Sequence, residues 1–392
     1  MIFYLERTEE SQQKKYERMM SIIASLSKLF SENTKPYINS RVPENLFCRY
    51  FDAENLSRSD VTADAKKGDM GIGIKTWIDS NYQKIAEFNK MKPELDRLAG
   101  NSNKRLVNKV AELRNERIDF TLRTYGMSEM VYHCIKREKG RIRIFECPLE
   151  KIDTANIKNI VKKNNTINFE DGKHRYGFYM PKSTLYMHFE GMTEVKSMEV
   201  NINEDPYSLL ENLKVEWTEE NNCNASKKVI ERAYLPLYSE NSKRGKYVPD
   251  KNSLNIRFAK GRKRNIYEVG IPVPKKFHNE HSEFFPSRGV AFDLILPNNR
   301  RIIAKICQDG GKALMSKPNS DLGHWIIDDV LKVDPNKKIT YEMLSKFGID
   351  SVCIDKLFDE EEKKIYYKIN FATINSYEFY IGNQIIEEDN WF

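Results

Sequence analysis

The sequence lacks the patterns that mark membrane, secreted and zinc-stabilised proteins. Its 392 residues contain no apolar run as long as a membrane span. The N-terminus becomes charged from Glu6 onward, unlike a secretory signal peptide. The six cysteines are scattered without a CxxC pair, which argues against a zinc site and against a disulfide framework. We therefore expect free thiols in a cytoplasmic protein without membrane contacts.

Several catalytic motifs are also missing. Gly310–Gly311–Lys312 lacks the upstream glycine and the following Ser or Thr of a phosphate-binding loop. No segment resembles the nucleophile elbow of a serine hydrolase. His133 and Lys136 stand in HCIK, which is not the HxK spacing of phospholipase D-type nucleases, and no second copy exists.

The chain that remains is large, aromatic and charged. Hydrophobic residues make up 40%, aromatic residues 11% and charged residues 31%, a composition that supports packed cores rather than disorder. The length predicts roughly two to three domains. A polar and basic stretch at 217–252 indicates a connection, so we place the domain boundaries at 1–225 and 226–392.

Positive charge is concentrated near the start of the second domain. The formal net charge is +7, and between Asn241 and Arg264 nine Lys and Arg residues face one acid, Asp250. Such a stretch suits a polyanionic partner. A solvated linker has the same composition, so charge alone leaves both interpretations open.

Periodicity predicts mainly helices before residue 129, apart from one hairpin, and mainly strands after it. Helical spacing covers 5–31, a segment from Pro43 that carries Glu44, 80–91 and 103–124. Strand patterns begin with the hairpin SDVTADAK and MGIGIKTWI, turning near Lys67–Asp69, and dominate from residue 129. The pattern predicts an α+β first domain and a mainly-β second domain, which contains two short helices.

The predicted hairpin carries a candidate metal site. Nucleases of the PD-(D/E)xK type need carboxylates on one strand and an acid-x-Lys on the next, because the carboxylates hold Mg²⁺ against the scissile phosphate. The strand period of two places Asp60 and Asp64 on one face, and Lys75 lies on the partner strand. We predict that Asp60, Asp64 and Lys75 are catalytic, although ordinary surface charges on a hairpin would look the same.

The acid expected two residues before Lys75 is missing, because that position is Gly73. We expect Glu87 to replace it as a metal ligand, sharing a helix face with Gln83 four residues earlier. Glu44 on the preceding helix could hold a second ion or its water shell. Glycine within a strand often marks close approach of a ligand, so Gly71 and Gly73 favour a site here.

Two regions resemble restriction endonucleases. Residues from about Val248 to Phe371, with the strings NSLNIRF, YEVGIPVP, AFDLILPNNR and KALMSKPN followed by LGHW, resemble the C-terminal DNA-binding domain of NgoFVII-type enzymes. The N-terminal string ENLFCRYFDAENLSRSDVTADAKKGDMGIGIKTW is similar to restriction-enzyme catalytic domains that occur with that reader. The resemblance implies a PD-(D/E)xK-like mixed sheet with flanking helices, followed by a pseudobarrel related to the EcoRII recognition domain. The phospholipase D-like chemistry of NgoFVII-type enzymes is not implied, because its motif is absent.

In such pseudobarrels two loop arms grip the major groove, and by position these would be Lys260–Arg264 and Lys312–Asp321. We expect Arg262, Arg264 and Asn319 to read bases, since arginine suits guanine and asparagine suits adenine. We expect Lys263, Lys312 and Lys317 to contact phosphates. Ser316 and Asp321 are the remaining expected DNA contacts of the arms. Asp321 could accept from a cytosine amine or simply cap a helix that begins near Leu322.

The sequence thus predicts a Type II restriction enzyme, a Mg²⁺-dependent endonuclease acting on specific double-stranded DNA as a monomer or homodimer. Two alternatives stay open. One is a sequence-specific DNA-binding protein without catalysis, and the other is a defence nuclease that depends on DNA modification.

Overall fold

The computed structural model describes residues 3–56, 61–211, 227–243, 245–251, 253–360 and 362–389. The chain divides into two compact units with a mixed α+β architecture. The first comprises residues 1–122 and 127–219, and the second comprises residues 123–126 and 220–392.

The helices and strands are numbered in chain order. The α-helices are α1 Phe3–Glu6, α2 Glu10–Ser25, α3 Arg41–Tyr50, α4 Lys92–Asn101, α5 Asn103–Tyr125, α6 Pro206–Glu211, α7 Lys275–Glu280, α8 Asp321–Gly323, α9 Tyr341–Lys346 and α10 Ser376–Asp389. The strands of the first unit are β1 Glu54–Asn55, β2 Ala65–Lys67, β3 Met70–Trp77, β4 Tyr82–Glu87, β5 Glu129–Glu138, β6 Arg141–Pro148, β7 Lys158–Lys163, β8 Thr166–Glu170, β9 Arg175–Tyr179, β10 Thr184–His188 and β11 Thr193–Glu199. Those of the second are β12 Lys227–Pro236, β13 Ser239–Asn241, β14 Gly245–Tyr247, β15 Ile271–Pro272, β16 Ala291–Ile295, β17 Arg301–Cys307, β18 Ala313–Lys317, β19 Ile349–Asp359 and β20 Lys364–Thr373.

A six-stranded sheet in the order β1-β2-β3-β5-β6-β11 positions the predicted hairpin. Its strands pair antiparallel except β3 and β5, which run parallel. Helices α2 and α3 cover one face, where Tyr16, Phe47 and Phe51 are fully buried. Packing of these aromatic side chains against Ile72 and Ile135 fixes the β3–β5 register from one side.

The first unit contains a second, five-stranded antiparallel sheet in the order β4-β10-β9-β8-β7. Ile167 and Phe169 of β8 are buried, whereas Asn168 between them is exposed. This alternation shows that one face of the sheet lies on a core and that the other is open to solvent.

The second unit is built on a seven-stranded sheet in the order β12-β19-β20-β16-β17-β18-β15, with β16 and β20 parallel. Among the described residues no ladder joins the edge strands β12 and β15, so the sheet is not a closed barrel. Its core includes the fully buried Trp325, stacked on Phe371 with ring centroids 5.0 Å apart. The second unit is therefore β-rich, as the sequence predicts.

The helix predicted over 80–91 is wrong, because this segment forms β4. A β-bulge interrupts its pairing with β10, so that Ala86 and Lys84 face consecutive residues of the partner strand and Ile85 is the extra residue. The apolar residues Ile85 and Ala86 lie three and four positions after Tyr82, and the bulge accommodates this departure from the alternation of a regular strand. In the sequence that spacing is indistinguishable from a helical period.

Other element boundaries also differ from the predictions. The helix expected over 5–31 is divided into α1, α2 and the 3₁₀ helix Ser27–Leu29. The strand expected at LNIRF contains the 3₁₀ helix Ile256–Phe258, and the connection expected over 217–252 contains the long strand β12. Helices α3 and α5 and the turn of the first hairpin are confirmed. No helix among the described residues is long and apolar enough to cross a membrane.

Candidate functional site

The β2–β3 hairpin brings Asp64 close to the strand that carries Lys75. The chain reverses at Gly68, whose φ of +59° suits glycine. Asp64 N donates to Ile72 O at 2.8 Å, and Asp64 Oδ2 accepts from Ile74 N at 2.7 Å. A carboxylate oxygen is thereby fixed on the amide next to Lys75 in the chain. Asp60, the other predicted carboxylate, lies outside the described residues.

Lys75 is partly buried beside a pair of thiols. Burial and a hydrogen bond with Cys147 raise the pKa of Cys134 well above its usual value, and the Lys75 ammonium opposes that shift. Cys134 is fully buried and pairs with Lys75 across the parallel β3–β5 ladder. The Lys75 side chain is therefore half-buried, beside two buried thiols.

The glycines before Lys75 have a packing reason that the sequence did not show. A Cβ at Gly73 would lie 3.0 Å from both Tyr132 Cδ1 and Leu149 Cδ1, and one at Gly71 would lie 2.8 Å from Met130 Cγ. Interior side chains occupy the space in front of both positions. The expectation that these glycines admit a ligand is therefore corrected, and the aromatic ring of Tyr132 stands where the missing acid would begin.

A buried arginine that sequence reasoning missed connects α5 to this face. Arg114 Nη2 donates to Tyr132 Oη at 2.9 Å, and Nη1 donates to Thr62 Oγ1 at 3.3 Å. Arg114 is only 3% exposed, and burial raises the pKa of Tyr132 to about 12. Its burial could have been predicted from the sequence, because Arg114 lies four residues after Val110 and therefore on the apolar face of the helix.

The charges of three carboxylates act on the thiol of Cys48, which lies on α3. Burial, followed by the charges of Glu44, Asp64 and Glu54, raises the pKa of Cys48 to about 12. Glu44 is buried in α3 and pairs with Arg41 Nη1 at 2.8 Å. Within the described ranges, however, no three His, Cys, Asp or Glu side chains lie close enough together to hold a metal ion. Glu44 and Asp64 thus form part of an acidic environment rather than a complete cage.

Glu87 and Gln83 do not join this group. Both lie on β4 in the five-stranded sheet, so the helix face proposed for them does not exist. Glu87 Oε1 pairs with Lys84 Nζ at 3.0 Å with 43% of its side chain exposed, and Gln83 Nε2 donates to Ser80 O. The assignment of Glu87 as the replacement acid is corrected for that reason.

In the second unit, a groove of about 390 Å³ brings together residues from both predicted arms. Arg262 and Arg264 of the first arm line it together with Asn319 of the second. The chain turns at Gly261, with φ +119°, just before the two arginines. These are the three residues that the sequence predicts as base readers.

A buried acid positions both arginines. Glu268 Oε1 accepts from Arg262 Nη2 at 2.5 Å and from Arg264 Nη1 at 3.3 Å, and Glu268 is 1% exposed. Arg264 Nε also donates to Ala259 O at 3.2 Å. The guanidinium groups are therefore oriented before any ligand arrives. Sequence reasoning missed Glu268, for which the signal was a lone acid four residues after Arg264.

The second arm is partly a strand rather than a loop. Ser316 lies in β18, is fully buried, and its Oγ accepts from Leu322 N at 3.0 Å. Its predicted DNA contact is corrected, because the hydroxyl caps the following helix from inside the fold. Asp321 is half-buried and is the first residue of α8, so the N-cap position belongs to Ser320, which makes no side-chain cap hydrogen bond. Lys312 and Lys317 are exposed and lie outside the groove lining, as is Lys263.

The groove is strongly cationic. Five basic side chains line it against the single acid Glu268: Lys251, Lys260, Arg262, Arg264 and Lys305. The sequence predictions did not include Lys251 or Lys305 as contacts. On β17, burial alternates residue by residue, so Lys305 is on the face opposite the buried Ala304 and Ile306. Alternation of this kind in RIIAKIC was the signal that could have identified it.

Residues 231–357 match the NgoFVII C-terminal B3-like DNA-binding domain family. The matched range lies within the second unit and contains the whole groove, the two arginines and Glu268. No curated protein matches the chain. The match supports a DNA-recognition domain in the second unit and leaves the first unit without a family assignment.

Proposed function

We propose that the protein is a sequence-specific endonuclease that acts on double-stranded DNA in a restriction system and depends on Mg²⁺. The observation that carries the proposal is the cationic groove, in which Glu268 orients Arg262 and Arg264 inside a range that matches a B3-like DNA-binding family. The first unit would then be the cutting domain, with a PD-(D/E)xK-like arrangement on the β2–β3 hairpin.

In the second unit, the proposed DNA-recognition domain, different residues of the groove would contact bases and phosphates. Arg262, Arg264 and Asn319 would contact base edges, because they line the groove and offer two-pronged hydrogen bonding. Lys260 and Lys305 at the groove would contact phosphates and set the orientation of the duplex. The exposed Lys263, Lys312 and Lys317 would extend that phosphate contact beyond the groove.

In the cutting domain the donors are of the kind that Mg²⁺ prefers. Asp64 would hold the ion with its second oxygen, Asp60 would add a further carboxylate, and Glu44 would support the water shell. The bound ion would stabilise the charge that develops on the scissile phosphate. Lys75 would orient the attacking water or hold its proton. Arg114 positions Tyr132 and Thr62 beside this hairpin.

A DNA-binding protein without catalysis is the second candidate, and specific observations favour it. The ring of Tyr132 lies where the acid before Lys75 would begin, and the described residues contain no group of three ligands for a metal ion. Such a protein would share the groove and its sequence preference but would leave DNA intact.

One digestion separates these functions. Phage DNA, with and without prior methylation, is incubated with the purified protein in Mg²⁺ or in EDTA, and the fragment ends are sequenced. The proposal predicts discrete, Mg²⁺-dependent fragments from unmethylated DNA with a shared motif near the ends, and none from a Lys75→Ala variant that still binds duplex. Binding without fragments would establish the second candidate, and cutting only of methylated DNA would indicate a modification-dependent nuclease.

A further inference from the structure

The open face of the five-stranded sheet in the first unit has a composition that the proposed function does not use. A cavity of about 770 Å³ lies on it. Across three adjacent strands, Gly177 pairs with Asn168 on one side and with Tyr186 on the other, so these residues share one face. At the end of the next ladder, Tyr82 pairs with His188. We call this surface, made by Tyr82, Asn168, Gly177, Tyr186 and His188, the tyrosine face.

Aromatic rings are layered over the strands of the tyrosine face. The rings of Tyr82 and Tyr186 are nearly parallel, at 11°, with centroids 5.1 Å apart, and His188 lies 5.4 Å from Tyr82. A Cβ on Gly177 would lie 1.5 Å from Tyr82 Oη. The missing side chain of Gly177 therefore provides the space that lets the phenol ring of Tyr82 extend across the sheet.

The hydroxyl of Tyr82 has no partner. Tyr82 Oη is buried and forms no hydrogen bond in the part of the chain that the structure describes. Burial, followed by Tyr186, raises the pKa of Tyr82 to about 12, so the hydroxyl keeps its proton at neutral pH. A buried donor without an acceptor is unfavourable, and a ligand that turns the Tyr82 ring outward would give its hydroxyl an acceptor.

The charge around the tyrosine face favours an anionic ligand. Residues 158–190 contain six Lys and Arg and three acids, a formal net charge of +3. Lys163 and Arg175 line the cavity together with one acid, Glu170, and Arg175 also pairs with Glu190. Side-chain amides are concentrated there as well: Asn159, Asn164, Asn165 and Asn168. Cations, amides and stacked rings on an open sheet are the combination with which proteins bind single-stranded nucleic acid.

We propose that the tyrosine face binds unpaired nucleotides of a DNA strand, with bases against Tyr82 and Tyr186 and phosphates towards Lys163 and Arg175. A closed duplex does not fit this role, because its base faces are already stacked on one another and cannot reach a recessed ring. This binding site is separate from the groove of the second unit and goes beyond the proposed function. It does not depend on cleavage, so it can be tested in EDTA.

The test measures binding of the full-length protein to a fluorescent oligo-dT and to a duplex of equal length, by anisotropy in EDTA. Tyr186→Leu removes the ring, and Gly177→Ala displaces the ring of Tyr82 without removing it. Loss of one base–aromatic stack should weaken oligo-dT binding about 5- to 140-fold. Tyr207→Leu is the matched control, because Tyr207 is an exposed tyrosine of the same unit on α6.

Two controls separate this surface from the groove and from misfolding. Arg262→Ala should weaken duplex binding and leave oligo-dT binding as in the wild type. Tyr186→Phe should restore oligo-dT binding, because the ring is kept, and thermal melts identify a variant that has unfolded. Unchanged oligo-dT binding in both Gly177→Ala and Tyr186→Leu would overturn the proposal. So would equal losses on duplex and oligo-dT, which mark a phosphate contact alone, or preferred binding of a matched oligo-U, which would assign the surface to RNA.

Discussion

Replacing Glu268 by alanine tests whether the two groove arginines must be held in place to discriminate between DNA sequences. Glu268 accepts from Arg262 at 2.5 Å and from Arg264 at 3.3 Å. A hydrogen bond to a charged group contributes about 1.5–3 kcal/mol. The lower value applies here, since 53% of the Arg262 side chain is exposed and solvent screens its charge. The substitution removes two such hydrogen bonds, each contributing about 1.5 kcal/mol, and therefore on the order of 3 kcal/mol of the energy that holds the arginines in place.

The change should act in opposite directions on the two kinds of DNA. Loss of a carboxylate makes the groove more cationic, which strengthens binding to the phosphates of any duplex. Loss of orientation weakens the contacts to base edges, each of which discriminates by about 1–3 kcal/mol. We expect the ratio of cognate to random affinity to fall about 10- to 100-fold.

The assay is duplex binding by anisotropy at two salt concentrations, with the cognate site obtained by selection from a random duplex pool. Glu268→Gln keeps an acceptor and should give an intermediate ratio. Glu360→Gln is the control for charge, because Glu360 is an exposed acid in a turn of the same unit. An unchanged ratio in Glu268→Ala, with the fold intact by circular dichroism, would refute the role of Glu268 in reading.

The remaining predictions concern the first unit. Lys75→Ala should lower cleavage about 10²- to 10⁴-fold, and Asp64→Ala should abolish it, with duplex binding retained; plasmid nicking and anisotropy measure the two effects. Glu87→Ala should leave the cleavage rate within about twofold of the wild type, because its carboxylate pairs at the surface of the other sheet; a large loss would return it to the active site. Gly73→Glu should lower the free energy of unfolding by about 1–3 kcal/mol, measured in urea, because the new side chain meets Tyr132; an unchanged stability would show that the ring moves freely.

Much of the fold follows from local periodicity. The long helix α5 and the β5–β6 hairpin around Gly140 have strong, uninterrupted patterns, and the structure confirms both. Strand β4 was misread because its apolar residues have a helix-like spacing, which a single bulge at Ile85 accommodates. The order of strands in the sheets depends on contacts distant in sequence, which no local pattern records.

In the candidate sites, too, local sequence patterns were informative and the effects of burial were not. The place of Arg262 and Arg264 on a cationic turn was predictable from charge, and that of Asn319 on the second arm from resemblance. Their reading of bases stays a prediction. Glu268 was not predictable, because its importance comes from burial, and a lone acid among basic residues reads as a surface charge. Ser316 has a residue type that suits DNA contact, yet its place in β18 turns the hydroxyl inward.

The parallel pairing of β3 with β5 has a consequence for folding. The ladder joins Met70 to Glu129, residues 59 positions apart, whereas β2 and β3 are joined by a tight turn. Closing so long a loop costs chain entropy before any strand contact compensates for it, so β5 joins the sheet later than the local hairpin forms. During synthesis Asp64 and Lys75 leave the ribosome well before the strand that fixes β3. A nascent chain therefore carries these residues on an incompletely paired strand until β5, Glu129–Glu138, has been synthesised.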